Sequence, residues 1–229
     1  MISVVIPSLN EEADLAHTLA ALVPAAVDGL VSEVVIADGG STDRTAEIAD
    51  AAGANFIRTE RGRGRQLAEG ARHAKGSWLL FLHADTILQP DWVTDAVALI
   101  RAVESGARPQ AVGVFRFALS DKGLRAACLT GIVRLRCAVL RMPYGDQGLL
   151  ISRQLYDEVG GFRPMPLMED VDLIRRLGRK RLMFFRSLAV TSARRYRADG
   201  YVRRMLRNLA CLCLFYLNLP PRLLARLYE

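Results

Sequence analysis

The sequence predicts an α/β protein with a mostly parallel central sheet flanked by helices. Apolar segments that run without interruption and stop at turn residues are typical of strands buried on both faces of such a sheet. Three of these segments lead into polar residues, at Ser8, Asp38 and Asp85. Because ligands collect beyond the carboxyl ends of parallel strands, we expect these residues to lie around one site.

Strands and helices alternate through the first half of the chain. Strands are predicted at 2–6, 33–37, 54–57 and 78–82, and the helices between them are predicted to end near residues 24, 52 and 75. We expect Asn10 to cap the first helix, since an Asn side chain accepts hydrogen bonds from free N–H groups, and Pro24 to close it. Gly62 and Gly64 match only the start of a dinucleotide-binding motif, because Leu67 replaces its third glycine, so a Rossmann NAD site is not expected.

The pattern changes after a predicted helix at 91–103. Strands are predicted at 112–119, 147–152, 181–186 and 189–193, and helices at 123–141, from about 167 to 178, and from about 199. No Pro-, Gly- or Ser-rich linker separates the two halves. We therefore expect one domain over residues 1–205, with halves at 1–120 and 121–205, followed by a helical tail over 206–229.

Charge is distributed unevenly along the 229 residues. Residues 1–120 carry 10 Lys and Arg against 15 Asp and Glu, whereas residues 121–229 carry 21 against 9. An excess of arginine suits bidentate contacts to phosphate, although GC-rich codon usage also favours arginine. The asymmetry predicts an anionic partner for the second half.

The cysteines and the N-terminus predict a cytoplasmic protein. Cys128, Cys137, Cys211 and Cys213 lack CxxC spacing, so we expect buried thiols in a reducing compartment rather than disulfides or a zinc site. The N-terminus lacks a basic region and reaches polar residues almost at once, which does not match a signal peptide.

The C-terminal segment 206–219 is apolar but only fourteen residues long. A helix of that length spans ~21 Å, whereas a bilayer core needs about 20 residues, so it is not expected to cross a membrane. Arginines on both sides predict peripheral contact through 203–229 with the cytoplasmic face of the inner membrane. A helix packed on the domain, or the seam of a homodimer, is an equally good interpretation.

Four motifs together resemble the family 2 glycosyltransferases, which have the GT-A fold. The matching segments are Val5–Glu12, Val35–Asp43, Phe81–Thr86, and Gly160-Gly161-Phe162 followed by Met168–Asp172. Each motif is short, but their order and spacing are specific, and the resemblance covers residues 2 to about 205. The block 144–148, with Arg194-Arg195-Tyr196, is similar to a bacterial subgroup of small single-domain members.

The resemblance implies a nucleotide-sugar donor bound by the half 1–120. Asp38 would accept a hydrogen bond from the donor's base, and Asp85 would hold a divalent cation, Mg²⁺ or Mn²⁺, on the diphosphate. His83 stands where the family often has an acid, and we expect it to be a histidine at the strand end with its hydrogen bonds satisfied, rather than a metal ligand. The remaining residues implied for the nucleotide are Pro7, Ser8, Asn10, Glu11, Gly62, Arg65 and Ala84.

The resemblance also implies an inverting reaction at the half 121–205. Asp170, beside Glu169, would be the general base toward an acceptor hydroxyl. Arginines from 61–65 or 194–197 would neutralise the departing diphosphate, with Arg195 and Arg197 preferred. Asp146 and Gln147 would hold sugar or acceptor hydroxyls, and the acceptor could be a lipid, a lipid-linked compound or a soluble molecule.

Two other interpretations remain open at this point. A nucleotidyltransferase has a similar fold, but it normally carries a glycine-rich basic segment where this chain has Ser8–Glu12. A basic module that binds nucleic acid or membrane through 175–207 would leave the acids at the strand ends unexplained, and no nucleic acid partner is expected. A haloacid-dehalogenase-type phosphatase is excluded, because its nucleophilic Asp would fall at His83.

Overall fold

The structure is a computed structural model that describes residues 1–217, 219–220 and 223–224. The strands are β1 (Ile2–Ser8), β2 (Val31–Asp38), β3 (Asn55–Arg58), β4 (Trp78–Phe81), β5 (Thr86–Leu88), β6 (Val112–Leu119), β7 (Leu149–Ser152) and β8 (Leu182–Thr191). The helices are α1 (Leu15–Val27), α2 (Thr45–Ala51), α3 (Arg63–His73), α4 (Trp92–Glu104), α5 (Leu124–Leu140), α6 (Arg153–Glu158), α7 (Glu169–Leu177), α8 (Arg194–Asp199) and α9 (Tyr201–Tyr216). Short 3-10 turns lie at Gly145–Gln147 and Arg179–Arg181.

All eight strands form one sheet in the order β3-β2-β1-β4-β7-β6-β8-β5. Strands β1 to β4 are parallel, β7 is antiparallel to both β4 and β6, and β6 is parallel to β8. Strand β5 pairs antiparallel with β8 at the far edge. The prediction of a mostly parallel sheet is confirmed, and the two sequence halves interleave within it.

Helices cover both faces of the sheet because the central strands are apolar on both sides. In β1 all seven residues are buried. Val4 packs into a core with residues of α1 and α4, whereas Val5 packs into a second core with residues of α3, α6 and α7. In this three-layer arrangement helices cover both faces of the central strands. The polar residues that follow the parallel strands β1, β2 and β4 therefore lie at the same end of the sheet.

The structure corrects several details of the predicted elements. The three-residue strand β5 and the helix α6 were not predicted, and the predicted strands 181–186 and 189–193 are the single strand β8. Pro24 lies inside α1 rather than closing it. Ala20 and Pro24 are both exposed, so the carbonyl group that loses its proline partner can be hydrated.

Asn10 does not cap α1. Its φ of 55° places it in the left-handed region, and the helix begins only at Leu15. The Asn10 side chain instead accepts a hydrogen bond from the backbone N–H of Thr42 at 2.9 Å, and its own backbone N–H donates to the Ser41 hydroxyl at 2.8 Å. Asn10 therefore fastens the loop after β1 to the loop after β2.

The helix α9 crosses the predicted boundary between domain and tail at residue 205. Its buried residues Cys211, Leu212 and Phe215 pack in a core with Met168 and Val171 of the α7 region. Cys137 and Cys211 are buried as expected, but Cys128 and Cys213 are exposed. Arg222 and Arg226, the arginines that follow the apolar segment 206–219, lie outside the described residues.

Within the described ranges, no helix has the length and apolar content needed to cross a bilayer.

Replacing Gly64 with Ala is expected to destabilise the fold. A Cβ at Gly64 would lie 2.3 Å from the carbonyl oxygen of Arg163 and 2.8 Å from that of Met165, and neither backbone group can rotate away. Overpacking of this kind costs about 1–3 kcal/mol, which lowers the melting temperature by roughly 2–12 °C in a chain of this size. Thermal unfolding of the two proteins measures the effect.

Gly131→Ala is the matched control, because Gly131 is also helical but a Cβ there would meet no atom within 4 Å beyond the backbone of its own helix. Alanine there should raise stability by up to about 1 kcal/mol, since it favours the helical backbone. Equal melting temperatures for the Gly64 variant and wild type would show that α3 does not pack against residues 163–165 in this way.

Candidate functional site

A cleft with a cavity volume of about 100 Å³ opens at the carboxyl-end edge of the sheet. It is lined by residues that follow β4 and β8, that precede β7, and that begin α3, α7 and α8. These residues are Arg63, His83, Asp85, Tyr144, Gly145, Asp146, Leu167, Met168, Glu169, Asp170, Thr191, Ser192, Arg195, Tyr196, Arg204 and Asn208. The cleft therefore joins segments that are more than 140 residues apart in the chain.

Asp85 reaches the cleft because β4 ends at Phe81 and the chain turns before β5. Its backbone carbonyl accepts a hydrogen bond from the N–H of Ser192 at 2.9 Å. Next to it, the hydroxyls of Thr86 and Thr191 lie 3.0 Å apart across the β5–β8 pair. Pairing of β5 with β8 thus fixes Asp85 against the half 121–205 of the chain.

Glu169 and Asp170 occupy the first turn of α7, where the helix dipole favours carboxylates. Met168 enters this helix with φ of 65°, a left-handed conformation that turns the chain sharply before Glu169. The Glu169 side chain is only 2% exposed, and its Oε1 lies 3.7 Å from Nε of Arg63. Burial and the neighbouring Asp170 raise the pKa of Glu169 above its ordinary value.

The 3-10 turn before β7 supplies Gly145 and Asp146 to the cleft. The backbone N–H of Gly145 donates to Oδ2 of Asp170 at 2.7 Å, which holds that carboxylate toward the cleft. Gln147, predicted to bind hydroxyls, is instead buried beneath the turn, and its amide donates to the carbonyl of Phe115 at 3.0 Å. Gln147 supports the turn, and the structure does not bring it to the cleft.

Arginines face the acids across the cleft. Arg63 comes from the start of α3 and Arg195 from α8, and Arg195 pairs with Glu11. Arg197, which was also predicted to neutralise the diphosphate, lies outside the cleft, because its Nε donates to Asp121 at 3.2 Å. Of the two preferred arginines, only Arg195 therefore lies in the cleft with Asp85 and Asp170.

Asp38 lies at the same edge of the sheet, beyond β2, but it is not a lining residue of the cleft. Its oxygens accept hydrogen bonds from the Ser8 hydroxyl at 3.0 Å, the Gly40 N–H at 2.9 Å, the Ser41 N–H at 2.8 Å and the Ser41 hydroxyl. A carboxylate offers about four lone-pair positions. Ser8, Gly40 and Ser41 therefore occupy all four positions of Asp38. The Glu11–Arg195 ion pair connects this region to the cleft.

The remaining residues predicted to bind the nucleotide, Pro7, Gly62, Arg65 and Ala84, do not line the cleft. Pro7 is buried in β1, and the carbonyl of Ala84 accepts a hydrogen bond from the Thr18 hydroxyl at 2.8 Å. Gly62 precedes α3 with φ of 144°, and Arg65 pairs with Glu60. Their predicted role in nucleotide binding stays a prediction.

Sequence reasoning missed the contribution of α9. Arg204 and Asn208 of this helix line the cleft, although their segment was interpreted only as a tail. Their spacing of four residues places them on one helical face, a signal that becomes informative only when the opposite side of the cleft is known. Thr191 was likewise not singled out, and Tyr144 was noted only as part of the block 144–148.

Comparison with known proteins identifies the family. The family model described as glycosyl transferase family 2 matches residues 3–163, which is more than half of the chain. The chain belongs to glycosyl transferase family 2. The mixed sheet with flanking helices is the GT-A fold, and the sequence-based prediction of both family and fold is confirmed.

Relatives of this family 2 glycosyltransferase include enzymes of mycobacteria. Glucosyl-3-phosphoglycerate synthase of Mycobacterium tuberculosis H37Rv is 37% identical over 95 residues, which are 38% of this chain and 29% of the synthase. A PGL/p-HBAD biosynthesis glycosyltransferase of Mycobacterium bovis BCG is 34% identical over 115 residues, 44% of this chain and 41% of the relative. The chain thus spans less than half the length of the curated relatives that it matches.

Solved structures of the M. tuberculosis synthase share the fold more completely. Its complex with Mn²⁺, UDP and glucosyl-3-phosphoglycerate superimposes with a TM-score of 0.59 at 27% identity, covering 84% of this chain and 70% of that one. Its complex with Mg²⁺ and UDP gives a TM-score of 0.59 at 26% identity, covering 84% and 69%. The similarity therefore extends well beyond the segment matched in sequence.

The acids of this glycosyltransferase suit a hard divalent cation that is also bound by phosphate. Among the described residues, no three His, Cys, Asp or Glu side chains converge closely enough to hold a metal ion by themselves. Mg²⁺ and similar ions are commonly held by one or two carboxylates together with substrate phosphates. Asp85 faces the cleft, and Oδ1 of Asp146 is buried without a hydrogen-bond partner in the described part of the chain. These two carboxylates fit the protein share of such a site.

His83 lies just beyond the end of β4, and its predicted role as a structural histidine stays a prediction. Burial, followed by the guanidinium groups of Arg63 and Arg195, holds the pKa of His83 well below its ordinary value. The ring is therefore neutral at physiological pH. It lies against the turn before β7, since a Cβ on Gly145 would approach its Nε2 to 2.9 Å.

Asp146 is expected to make stability depend on pH. Burial, with smaller contributions from Asp170 and Asp85, raises the pKa of Asp146 from 3.8 to about 6, although Arg136 opposes the shift. The folded state therefore holds a proton that the unfolded state has released, and stability from this group falls as the pH rises from about 4 to about 6. The difference corresponds to roughly 3 kcal/mol at most.

The variant Asp146→Asn removes this titration and is the comparison to make. Its melting temperature relative to wild type should be higher at about pH 7.5 than at about pH 5, because only the wild type carries the buried charge at the higher pH. Differential scanning calorimetry at both pH values measures this shift. A difference between the two proteins that is independent of pH would contradict the raised pKa.

Proposed function

We propose that the chain transfers a sugar from a nucleoside diphosphate donor to an acceptor hydroxyl, with inversion at the anomeric carbon. The observation that carries this proposal is that Asp85 and Asp170, on different elements, face one cleft together with Arg63 and Arg195. Membership of the family supports the general activity. The cleft supplies the two charge types that the reaction needs, acids for a proton and a cation, and arginines for phosphate.

Asp170 acts as the general base in this proposal. Its oxygens each accept one backbone hydrogen bond, from Gly145 at 2.7 Å and from Val171 at 2.7 Å, so lone pairs remain for the acceptor hydroxyl. The acceptor oxygen attacks the anomeric carbon from the face opposite the diphosphate. Its proton becomes acidic as the new C–O bond forms, and Asp170 takes it at that moment. Glu169, with its raised pKa, keeps the charge next to Asp170 low.

The diphosphate leaves toward Arg63 and Arg195, whose positive charge stabilises the developing anion. Asp85 and Asp146 would hold a divalent cation, which when bound supplies additional neutralisation of the leaving phosphates. Crystals of the M. tuberculosis synthase contain Mn²⁺ or Mg²⁺ together with UDP, and this precedent supports binding of a divalent cation with a nucleoside diphosphate here. Positioning of donor and acceptor supplies a further part of the acceleration.

The nucleoside is proposed to bind along the loops after β1 and β2. Asp38 would accept a hydrogen bond from the base N–H by exchanging one of its present bonds to Ser8 or Ser41. UDP-glucose in a relative's crystal makes UDP-sugars the first donors to test. The acceptor is proposed only as a hydroxyl compound, soluble or lipid-linked, and the enzyme is proposed to work in the cytoplasm.

A thermal-shift series tests the proposed function. The melting temperature is measured with UDP-, GDP- and dTDP-sugars, each with and without Mn²⁺. Since no three possible metal ligands converge among the described residues, we expect Mn²⁺ alone to give little stabilisation and Mn²⁺ with the correct donor to give several degrees. Failure of every donor to stabilise the protein in the presence of Mn²⁺ or Mg²⁺ would contradict the proposal.

A further inference from the structure

The helix α5 is apolar on two opposite faces. Its inner face packs Ala126, Leu129, Val133 and Cys137 into a core with α8 and α9. Its outer face carries a second stripe at spacings of three and four residues, formed by Leu124, Cys128, Ile132, Leu135 and Val139. Leu124 is 81% exposed, and Leu135 and Val139 are each about two thirds exposed. A fold that needed only the inner contact would place polar residues on the outer face.

The adjacent helix α9 repeats this arrangement. Along one face, Arg204 and Asn208 reach the cleft and Cys211 and Phe215 pack on α7, whereas another face is apolar and open to solvent. The open stripe is formed by Val202, Leu206, Leu209, Cys213 and Tyr216. Because α5 and α9 are in contact, the two exposed apolar stripes belong to neighbouring helices, of which α9 also lines the cleft. Exposed apolar surface of this extent is typical of interaction sites.

The charge of this surface is entirely positive. Neither the segment 123–141 nor the segment 201–217 contains Asp or Glu, and exposed arginines stand among the apolar residues at Arg125, Arg134 and Arg203. In the described ranges no ion pair involves any of these three. The acids that directly precede these two segments in sequence, Asp121 and Asp199, are each paired with arginine side chains.

A groove beside α5 has the same character. It lies between α5 and the strands β6 and β8, with apolar walls from Phe117, Val133 and Phe184. Its lining includes Arg116, Arg134 and Arg186 and no acid in the part of the chain that the structure describes. A groove of this composition can accept an acyl chain while the arginines contact an anionic headgroup.

We propose that α5 and α9 form a docking surface for an anionic lipid membrane. Exposed apolar stripes interspersed with arginine are the composition of helices that lie in a bilayer interface. A second copy of the chain fits less well, because a two-fold interface places the same surface against itself and would oppose arginine to arginine without a compensating acid. The surface would hold the cleft close to the bilayer, since α9 contributes to both.

Vesicle flotation tests this proposal with the full chain. The vesicles contain either phosphatidylcholine alone or an equimolar mixture of phosphatidylcholine and phosphatidylglycerol. We expect binding to the anionic vesicles only, weakened by added salt. The double variant Leu135→Asp/Val139→Asp should lower the bound fraction at least about tenfold, because it removes inserted apolar area and adds negative charge. Leu206→Asp/Leu209→Asp should do the same for α9.

Val27→Asp is the matched control, because Val27 is an equally exposed apolar residue, 80% accessible, at the end of α1 on another part of the surface. It should bind vesicles like wild type. All variants are first checked for an unchanged melting temperature and for stabilisation by donor nucleotide, so that loss of vesicle binding is separated from loss of folding or of the proposed activity. Light scattering measures the oligomeric state of each.

Two results would overturn the proposal. The first is equal binding of the α5 variant, the α9 variant and wild type to anionic vesicles, or no binding by wild type. The second is a wild-type dimer that the α5 or α9 substitutions convert to monomer, which would assign the surface to a second copy of the chain.

Discussion

Replacing Asp170 with Asn is expected to lower kcat by about 100- to 10,000-fold, the range typical of losing a general base. Asn cannot take the proton of the acceptor hydroxyl, but it keeps the size of Asp and can still accept the hydrogen bond from the Gly145 N–H. The turn before β7 should therefore stay in place. Steady-state transfer assays measure kcat, and calorimetric titration with nucleoside diphosphate and Mn²⁺ measures donor binding.

Donor affinity of the Asp170 variant should remain within about threefold of wild type, which is less than 1 kcal/mol. Glu169→Gln is the informative companion, since Glu169 is buried beside Asp170 but is not assigned the proton transfer. Its effect on kcat should be much smaller. A kcat for Asp170→Asn close to that of wild type, or a larger loss for Glu169→Gln, would move the base to another residue.

Replacing Asp85 with Ala is expected to weaken donor binding itself, on the order of 100-fold or about 3 kcal/mol in the presence of Mn²⁺. The reason is that, among the described residues, no three His, Cys, Asp or Glu side chains could together hold the cation, so loss of Asp85 would remove a large share of the protein ligands. Calorimetric titration with UDP, with Mn²⁺ and with EDTA, measures this difference. In EDTA the variant and wild type should bind UDP with similar affinity.

Asp157→Asn serves as the control for Asp85→Ala, because Asp157 is an exposed acid on α6, which follows the opposite end of β7. It should leave donor binding unchanged. If wild type and the Asp85 variant bound UDP equally well in the presence of Mn²⁺, the assignment of Asp85 to the cation would be wrong, and Asp146 would become the residue to examine.

Local sequence signals predicted the first half of the fold well. An apolar run such as 78–82 predicts a strand because a strand buried on both faces needs apolar side chains at consecutive positions. The position of the cleft acids was predictable because the carboxyl ends of parallel strands lie together. Strand β5 could not be found in this way. Its three residues gain their conformation from pairing with β8, more than 100 residues later in the chain.

The same limit applies to side chains whose partners are distant in sequence. Asn10 has the residue type of a helix cap, yet tertiary contacts with Ser41 and Thr42 decide its conformation. Arg197 and Arg195 could not be separated by type, because only the fold shows that Asp121 engages one of them and the cleft the other. Arg204 and Asn208 reach the cleft because α9 packs on α7. No pattern in the residues around them predicts that packing.

Interleaving of the two halves in one sheet has a consequence for synthesis on the ribosome. The free edge of β4 has no partner until β7, which ends at Ser152, has left the exit tunnel, and β5 has none until β8, which ends at Thr191, has left it. Unpaired edges of this kind promote intermolecular association. A premature stop codon before residue 191 is therefore expected to yield an aggregating fragment rather than a smaller folded protein.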